Sequence, residues 1–269
     1  MTGLSIPCSA LQRLPGWEDA ACELLHGGLS NRTWLLQKDK QRAVLKIDEH
    51  RREAPLNTRA QEVIIQMTAA DAGLANAVLF EGDGLLLTAY AKGEVWSVAS
   101  FEEDRNLDLL ARALRRVHAL PPAARTFDAA RAARRYASAI EFDEDLVARC
   151  VEIIDSIGAP RELRLCHNDL VAENILATPE IRFLDWEYAC NNDPLFDLAT
   201  VVEHHGLEAR QATRLLDAYF DGDGDAQLVG LREQQRQYRA LLWLWLAARP
   251  DTTQQELRQA AQRLTTSCS

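Results

Sequence analysis

The stretch from Leu165 to Asp197, LCHNDLVAENILATPEIRFLDWEYACNNDPLFD, constrains the fold more than any other part of the chain. Thr178-Pro179-Glu180 within it has the composition of a turn. Short apolar runs on either side of this turn predict strands over 175–177 and 181–184. A third apolar run, over 164–166, predicts another strand, and a polar loop over 167–173 follows it. The two strands on either side of the turn then form a hairpin that carries Asn174 and Asp185 towards each other.

Three oxygen-bearing side chains are predicted to converge around this hairpin: Asp169, Asn174 and Asp185. A hydroxyl nucleophile in phosphoryl transfer needs a carboxylate to orient it and accept its proton, which suits Asp169. Mg²⁺ needs hard oxygen ligands, which suits Asn174 and Asp185. His167 is predicted to support the loop backbone rather than to titrate. A buried polar network without chemistry is the alternative interpretation.

The pattern His167-x-Asp169-x₄-Asn174, followed by the DWEY sequence at 185–188, resembles the catalytic core of the aminoglycoside phosphotransferase and choline kinase superfamily. The segment DWEYACNNDPLFDLA is particularly similar to bacterial choline and thiamine kinases. The resemblance covers about residues 20 to 250 and implies an α+β, two-lobed protein-kinase-like fold. It also implies that Asp197 holds the catalytic loop by hydrogen bonds.

The expected lobes are a small antiparallel-sheet N-terminal lobe and a mostly helical C-terminal lobe. We place the first at 1–90, a hinge at 91–96 and the second at 97–269. In the second lobe, Asp193 is a good N-cap and Pro194 a good first residue for a helix. Apolar periodicity and such end signals predict helices over 106–119, 129–140, 145–157, 194–205, 207–220, 226–248 and 252–264.

Two features of the first lobe suit a nucleotide. The turn Gly27-Gly28-Leu29-Ser30-Asn31 allows backbone amides to approach phosphates, and Ser30 and Asn31 add side-chain donors. The same sequence also suits an ordinary hairpin turn. The resemblance implies that main-chain groups near Thr88 to Tyr90, at the end of the lobe, bind the adenine edge.

Lys46 lies inside the apolar strand AVLKI and needs a partner there. The resemblance implies that this lysine binds the α- and β-phosphates of ATP and pairs with a helix glutamate. Glu62 is the first candidate, on a helix that Thr58 caps and that ends near Gly73. Glu53 is the second, because Pro55 places it before that helix. A snorkelling lysine and a solvated glutamate are the alternatives.

Aromatic side chains on the long helix near the C-terminus are candidates for an acceptor pocket. Choline kinases line such pockets with aromatic rings that hold a quaternary ammonium by cation–π contact. Trp243 or Trp245 is expected to do so here, with Glu203 as a possible counter-charge. The two tryptophans cannot share a helix face, and plain core packing is the alternative for each.

Composition excludes several other classes. The formal net charge of −10 argues against nucleic acid as a partner and favours cationic acceptors. The six cysteines form no CxxC pair, which favours free thiols in a reducing cytoplasm. We expect no signal peptide and no membrane span. The sequence does not predict an oligomeric state.

The sequence therefore predicts an ATP- and Mg²⁺-dependent kinase for a small, cationic metabolite with a hydroxyl group. The link from Asp185 to Asp193 is too short for the activation segment with which protein kinases dock peptides, which favours a small-molecule acceptor. The resemblance makes choline or ethanolamine the first candidate acceptor and thiamine the second. The alternatives are an aminoglycoside phosphotransferase and a catalytically inactive kinase fold that acts as a binding module.

Overall fold

A computed structural model of the chain describes residues 8–25, 31–48, 58–160 and 162–265. The α-helices in these residues are α1 (Cys8–Leu11), α2 (Arg59–Asp71), α3 (Asp104–His118), α4 (Ala129–Ala137), α5 (Glu144–Asp155), α6 (Pro194–His205), α7 (Ala209–Tyr219), α8 (Leu228–Ala247) and α9 (Gln254–Thr265). The strands are β1 (Ala21–Leu25), β2 (Asn31–Lys38), β3 (Gln41–Asp48), β4 (Val78–Gly82), β5 (Leu85–Ala89), β6 (Glu94–Val95), β7 (Arg164–Cys166), β8 (Ile175–Ala177), β9 (Ile181–Phe183) and β10 (Cys190–Asn192). Short 3₁₀ helices lie at Val98–Glu102, Ala172–Asn174, Trp186–Tyr188 and Asp225–Gln227.

The chain divides into two compact units. Unit 1 comprises the residues up to Trp96 together with Glu173–Ala189, and unit 2 comprises Ser97–Ala172 and the residues from Cys190 onwards. The boundary after Trp96 follows the hinge that the sequence predicts. The prediction assigned 173–189 to the second lobe, whereas the structure groups this segment with unit 1.

Unit 1 is built on a five-stranded antiparallel sheet with the strand order β1-β2-β3-β5-β4. Alternate residues of β3 point to opposite faces, so Ala43 and Leu45 are fully buried while Lys46 is only partly covered. The buried face packs with the segment before β1, including Leu14 and Trp17, into one hydrophobic core.

A second, three-stranded sheet explains why residues 173–189 belong to unit 1. Its order is β6-β8-β9, so the hairpin β8–β9 pairs with a short strand inside the predicted hinge. The Trp96 amide donates to the Ile175 carbonyl at 2.9 Å, and the Phe183 amide donates to the Leu74 carbonyl at 2.7 Å. These backbone bonds are long-range, and no local sequence pattern indicates them.

Unit 2 is mostly helical. Its main core is formed by α4, α5, α8 and α9, with Trp243 and Leu244 of α8 fully buried in it. The strands β7 and β10 pair antiparallel, with Cys166 opposite Cys190 and Arg164 opposite Asn192. This pair places the loop after β7 beside the start of α6.

Local end signals fix α6 as the sequence predicts. Asp193 is its N-cap, with a side-chain oxygen that accepts from the Leu195 amide at 2.9 Å, and Pro194 is its first residue. Gly206 ends the helix in the left-handed conformation (φ 64°), which glycine adopts without strain. Thr58 likewise caps α2 by accepting from the Gln61 amide.

The predicted elements are largely confirmed, with ends shifted by up to three residues. The strands β6 and β10 were not predicted, because each is short and is defined by the strand it pairs with. The helix α1 was not predicted either, because it has only four residues. Among the described residues, no helix has both the length and the apolar character needed to cross a membrane.

Gly93, just before β6, lies where a side chain does not fit. A Cβ atom there would overlap the Ala177 carbonyl oxygen and lie 3.0 Å from Leu176 Cγ. We expect Gly93→Ala to lower the free energy of unfolding by about 1–3 kcal/mol, because backbone must move to relieve the overlap. Urea denaturation of the purified protein measures this change.

Gly158→Ala is the matched control, because a Cβ atom at Gly158 meets nothing within 4 Å. Its effect should stay within about 0.5 kcal/mol of zero. Equal effects of the two substitutions would show that Gly93 is not held against β8.

Candidate active site

The loop of unit 2 that carries Asp169, the predicted catalytic loop, is fixed by one buried carboxylate. Asp197, in the first turn of α6, has no exposed surface. Its Oδ2 accepts from the His167 amide at 2.8 Å and its Oδ1 accepts from the Asn168 amide at 2.7 Å. Asp169 is the next residue along the chain, so the backbone that leads into it is held by these two hydrogen bonds.

Asn168 adopts the left-handed conformation, with φ 65°. Its side chain is also held, since Oδ1 accepts from the Asn192 side chain at 2.7 Å and Nδ2 lies 3.3 Å from Cys190 Sγ. Asparagine tolerates this conformation better than most residues, and non-glycine residues with positive φ are concentrated at functional sites. Asn168 was not among the predicted site residues, although an Asn between His167 and Asp169 is a usable signal for this conformation.

His118, the last residue of α3, completes the support of Asp197. It is buried, with Nε2 3.0 Å from Asp197 Oδ2 and Nδ1 2.7 Å from the Tyr219 hydroxyl. No local sequence pattern links His118 to Asp197, which lies 79 residues further along the chain. Burial, the largest cause, raises the pKa of Tyr219, with the charge of Asp197 acting in the same direction.

His118, Cys166 and Asp197 are close enough together to share a metal ion. Burial, the largest cause, holds the pKa of the Cys166 thiol well above its usual range, so this side chain stays protonated. Asp197 already accepts hydrogen bonds from two backbone amides. We therefore assign this cluster to loop support and not to metal binding.

In unit 1, Lys46 and Asp185 form an ion pair. Lys46 Nζ lies 2.7 Å from Asp185 Oδ1, and the side chains retain 17% and 26% of their exposure. Asp185 has φ 57° and is the N-cap of the 3₁₀ helix Trp186–Tyr188. Asp185, like Asn168, is thus a non-glycine residue in the left-handed conformation, and such residues are concentrated at functional sites.

The hairpin β8–β9 brings Asn174 beside the residues before Asp185, as the sequence predicts. Ile175 pairs with Phe183, and the Leu184 amide donates to the Asn174 carbonyl at 2.8 Å. Asn174 and Asp185 thus supply an amide oxygen and a carboxylate at neighbouring backbone positions. This set of hard oxygen donors, next to a lysine that can bind phosphate, fits Mg²⁺ with a nucleotide.

The expected pair of Lys46 with Glu62 is replaced by two other ion pairs. Glu62 is buried and its Oε2 binds Arg59 Nη1 at 2.6 Å, while Lys46 pairs with Asp185. Arg59 also binds Asp48 at the end of β3 through Nη2. Arg59 lies three residues before Glu62 on α2, and side chains at this spacing are neighbours on a helix surface. Arg59 was not among the predicted site residues, because its second partner, Asp48, belongs to another element.

The residues predicted to bind the adenine edge form hydrogen bonds with β3. Thr88 Oγ1 donates to the Val44 carbonyl at 3.4 Å, and the Tyr90 amide donates to the Arg42 carbonyl at 3.2 Å. The Arg42 guanidinium also lies over the Tyr90 ring, 3.9 Å from its centroid. Ser30 lies outside the described residues, and Asn31 is described only as the first residue of β2.

The predicted acceptor residues have partners within unit 2. Glu203 binds Arg239 through both carboxylate oxygens, at 2.5 and 2.8 Å, and accepts from Gln235 at 2.6 Å. Trp243 is fully buried in the helical core. Trp245 is partly exposed and carries the Arg249 guanidinium 4.6 Å from its ring centroid. The charge of Glu203 is therefore already balanced by an arginine.

Comparisons with known proteins define the class of this chain. Residues 21–241 match the phosphotransferase enzyme family, and the chain belongs to this family. The chain is 31% identical over 207 residues to protein LicA of Haemophilus influenzae, which covers 72% of this chain and 61% of that protein.

Solved structures of low identity confirm the α+β, kinase-like fold class. The choline kinase LicA from Streptococcus pneumoniae superposes with a TM-score of 0.79 at 20% identity, over 95% of this chain and 97% of that one. A structure of LicA in complex with AMP has a TM-score of 0.75 at 20% identity, over 91% of each chain.

The pairing of Arg59 with two carboxylates yields a stability prediction. Its side chain is 9% exposed, and Glu62 is 1% exposed. Arg59→Ala leaves Glu62 without this partner, and we expect it to lower the free energy of unfolding by about 3 kcal/mol. Chemical denaturation measures the effect.

Arg134→Ala is the control, because Arg134 and Asp155 form an ion pair with 59% and 41% exposure. Breaking an exposed pair should cost about 0–1 kcal/mol. If the two variants lose equal stability, Arg59 does not link β3 to α2 in the way described.

Proposed function

We propose that the protein is an ATP-dependent phosphotransferase that moves the γ-phosphoryl group to a hydroxyl of a small, cationic metabolite. The observation that carries the proposal is the Lys46–Asp185 ion pair, 2.7 Å long, with Asn174 held beside it by the β8–β9 hairpin. Membership in the phosphotransferase enzyme family supports it.

Each residue has a proposed role. Asp169 orients the acceptor hydroxyl and receives its proton, and Asp197 with His167 holds the loop that carries it. Lys46 binds phosphate oxygens, with Glu62 and Arg59 holding α2 against β3. Asn174 and Asp185 hold Mg²⁺, which when bound neutralises charge on the phosphate oxygens. The segments around Ser30–Asn31 and Thr88–Tyr90 are proposed to contact the rest of the nucleotide. The AMP complex of LicA, a protein of similar fold, supports nucleotide use.

Choline or ethanolamine is the proposed acceptor. The LicA structure named as a choline kinase and the LicA relative from Haemophilus influenzae support this choice. The chain spans about three-fifths of the length of that relative, 61%, so the acceptor is inferred from part of the relative only. The net charge of −10 also favours a cation. Thiamine is the second candidate and an aminoglycoside the third.

For the acceptor pocket, we propose the Trp245 ring as the aromatic contact. Its partly exposed face already holds the Arg249 cation, which is the type of contact that a quaternary ammonium makes. Trp243 and Glu203 are proposed to support this helix from the core, since Trp243 is buried and Glu203 is bound by Arg239.

We also propose a cytoplasmic location, on the basis of thiol state. Cys22, Cys150, Cys166 and Cys190 are free cysteines. Burial raises the pKa of Cys150 to about 12 and that of Cys190 to about 11, so both remain thiols. Free thiols of this kind persist in a reducing compartment.

The test is ATP consumption by the purified protein with choline, ethanolamine, thiamine and kanamycin. We expect one of the first three to stimulate turnover most strongly above the rate with water. Asp169→Asn should lower kcat by about 10²–10⁴-fold, since it removes the proton acceptor.

Asp223→Asn, an exposed aspartate in the turn before α8, is the control and should match the wild type. Strongest stimulation by kanamycin would favour the aminoglycoside alternative. If no acceptor stimulates turnover while the nucleotide still binds, the protein is an inactive kinase fold and the proposal fails.

A further inference from the structure

The helix α6 contacts the catalytic loop at both of its ends. At its first turn, Asp197 accepts the amides of His167 and Asn168. At its last residue, His205 Nε2 lies 3.1 Å from the carbonyl oxygen of Leu170. The three hydrogen bonds therefore flank Asp169, two on the residues before it and one on the residue after it.

The contact with the Leu170 carbonyl determines which ring nitrogen of His205 carries the hydrogen. A carbonyl oxygen can only accept, so Nε2 carries the hydrogen and Nδ1 keeps the lone pair. Nδ1 is buried and has no hydrogen-bond partner among the residues that the structure describes. The Phe101 ring stacks on the imidazole at 3.8 Å between centroids with an angle of 18°, which fixes the plane of the ring.

The surroundings keep His205 neutral. Burial, the largest cause, lowers its pKa to about 4, and the neighbouring His204 adds to this shift. A charged imidazole would carry a second N–H at Nδ1 with no acceptor described for it. His205 is thus a single-tautomer N–H donor across the physiological pH range, and its charge does not change there.

We propose that His205 is a positioning residue for Asp169, which acts by holding the Leu170 peptide from the C-terminal end of α6. The role in turnover rests on the proposed function, while the role in loop order does not. Asp197 and the side-chain contacts of Asn168 hold the backbone before Asp169, and the His205 contact holds the carbonyl of the residue after it. With the residues on both sides of Asp169 bound to one helix, the helix restricts the backbone from which the Asp169 carboxylate projects.

Two substitutions separate the N–H donor from the ring. His205→Phe keeps an aromatic ring for the stack on Phe101 but removes the donor, and His205→Gln keeps an N–H donor at a similar reach. With the best acceptor from the panel, we expect His205→Phe to lower kcat about tenfold with KM for ATP within about twofold. His205→Gln should recover most of the lost kcat.

Hydrogen exchange provides a readout that does not depend on activity. In His205→Phe, the amides of His167 and Asn168 should exchange at least about fivefold faster than in the wild type, because the loop opens more often. In His205→Gln they should exchange at the wild-type rate within about twofold.

Wild-type exchange and wild-type kcat in His205→Phe would overturn the inference, and so would equal losses in the Phe and Gln variants. If the wild type shows no turnover but exchange follows the expected order, the proposed function fails and the positioning of the loop by His205 stands.

Discussion

The loop that carries Asp169 depends on the hydrogen bonds that the buried Asp197 carboxylate accepts. A fully buried charge is costly unless hydrogen bonds replace its lost hydration, and two amide donors and His118 do so here. Because those amides belong to His167 and Asn168, the same bonds that satisfy the charge also fix the backbone before Asp169. The same hydrogen bonds therefore satisfy the buried carboxylate and fix the backbone that leads into Asp169, the proposed proton acceptor.

Unit 1 uses charge in a comparable way around β3. Lys46 and Asp48 lie two residues apart on this strand, and each is bound by a partner from another segment. Asp185 comes from the end of the β8–β9 hairpin and Arg59 from the first turn of α2. The ion pairs thus join β3 to α2 and to the β8–β9 hairpin. Asp185 and Asn174, at neighbouring backbone positions, are the oxygen donors that we propose for a metal–nucleotide complex.

Local signals in the sequence predicted most elements and the central site residues. Asp193 and Pro194 marked the start of α6, and the turn 178–180 placed Asn174 near the end of β9. The sequence could not show which groups meet across elements. The Arg59–Asp48 pair and the His205–Leu170 contact join residues that no pattern links, and Lys46 was paired with Glu62 by resemblance alone. The short strand β10 exists because β7 is beside it.

The central claim is that Asn174 and Asp185 hold a divalent metal together with a nucleotide. Binding of Mn²⁺, used as a probe for Mg²⁺, can be followed by electron paramagnetic resonance with and without ADP. The account predicts one tight Mn²⁺ site that requires ADP and that weakens at least about tenfold in Asp185→Asn, since a charged ligand is lost. Equal Mn²⁺ affinity in Asp185→Asn and the wild type, at saturating ADP, would contradict it.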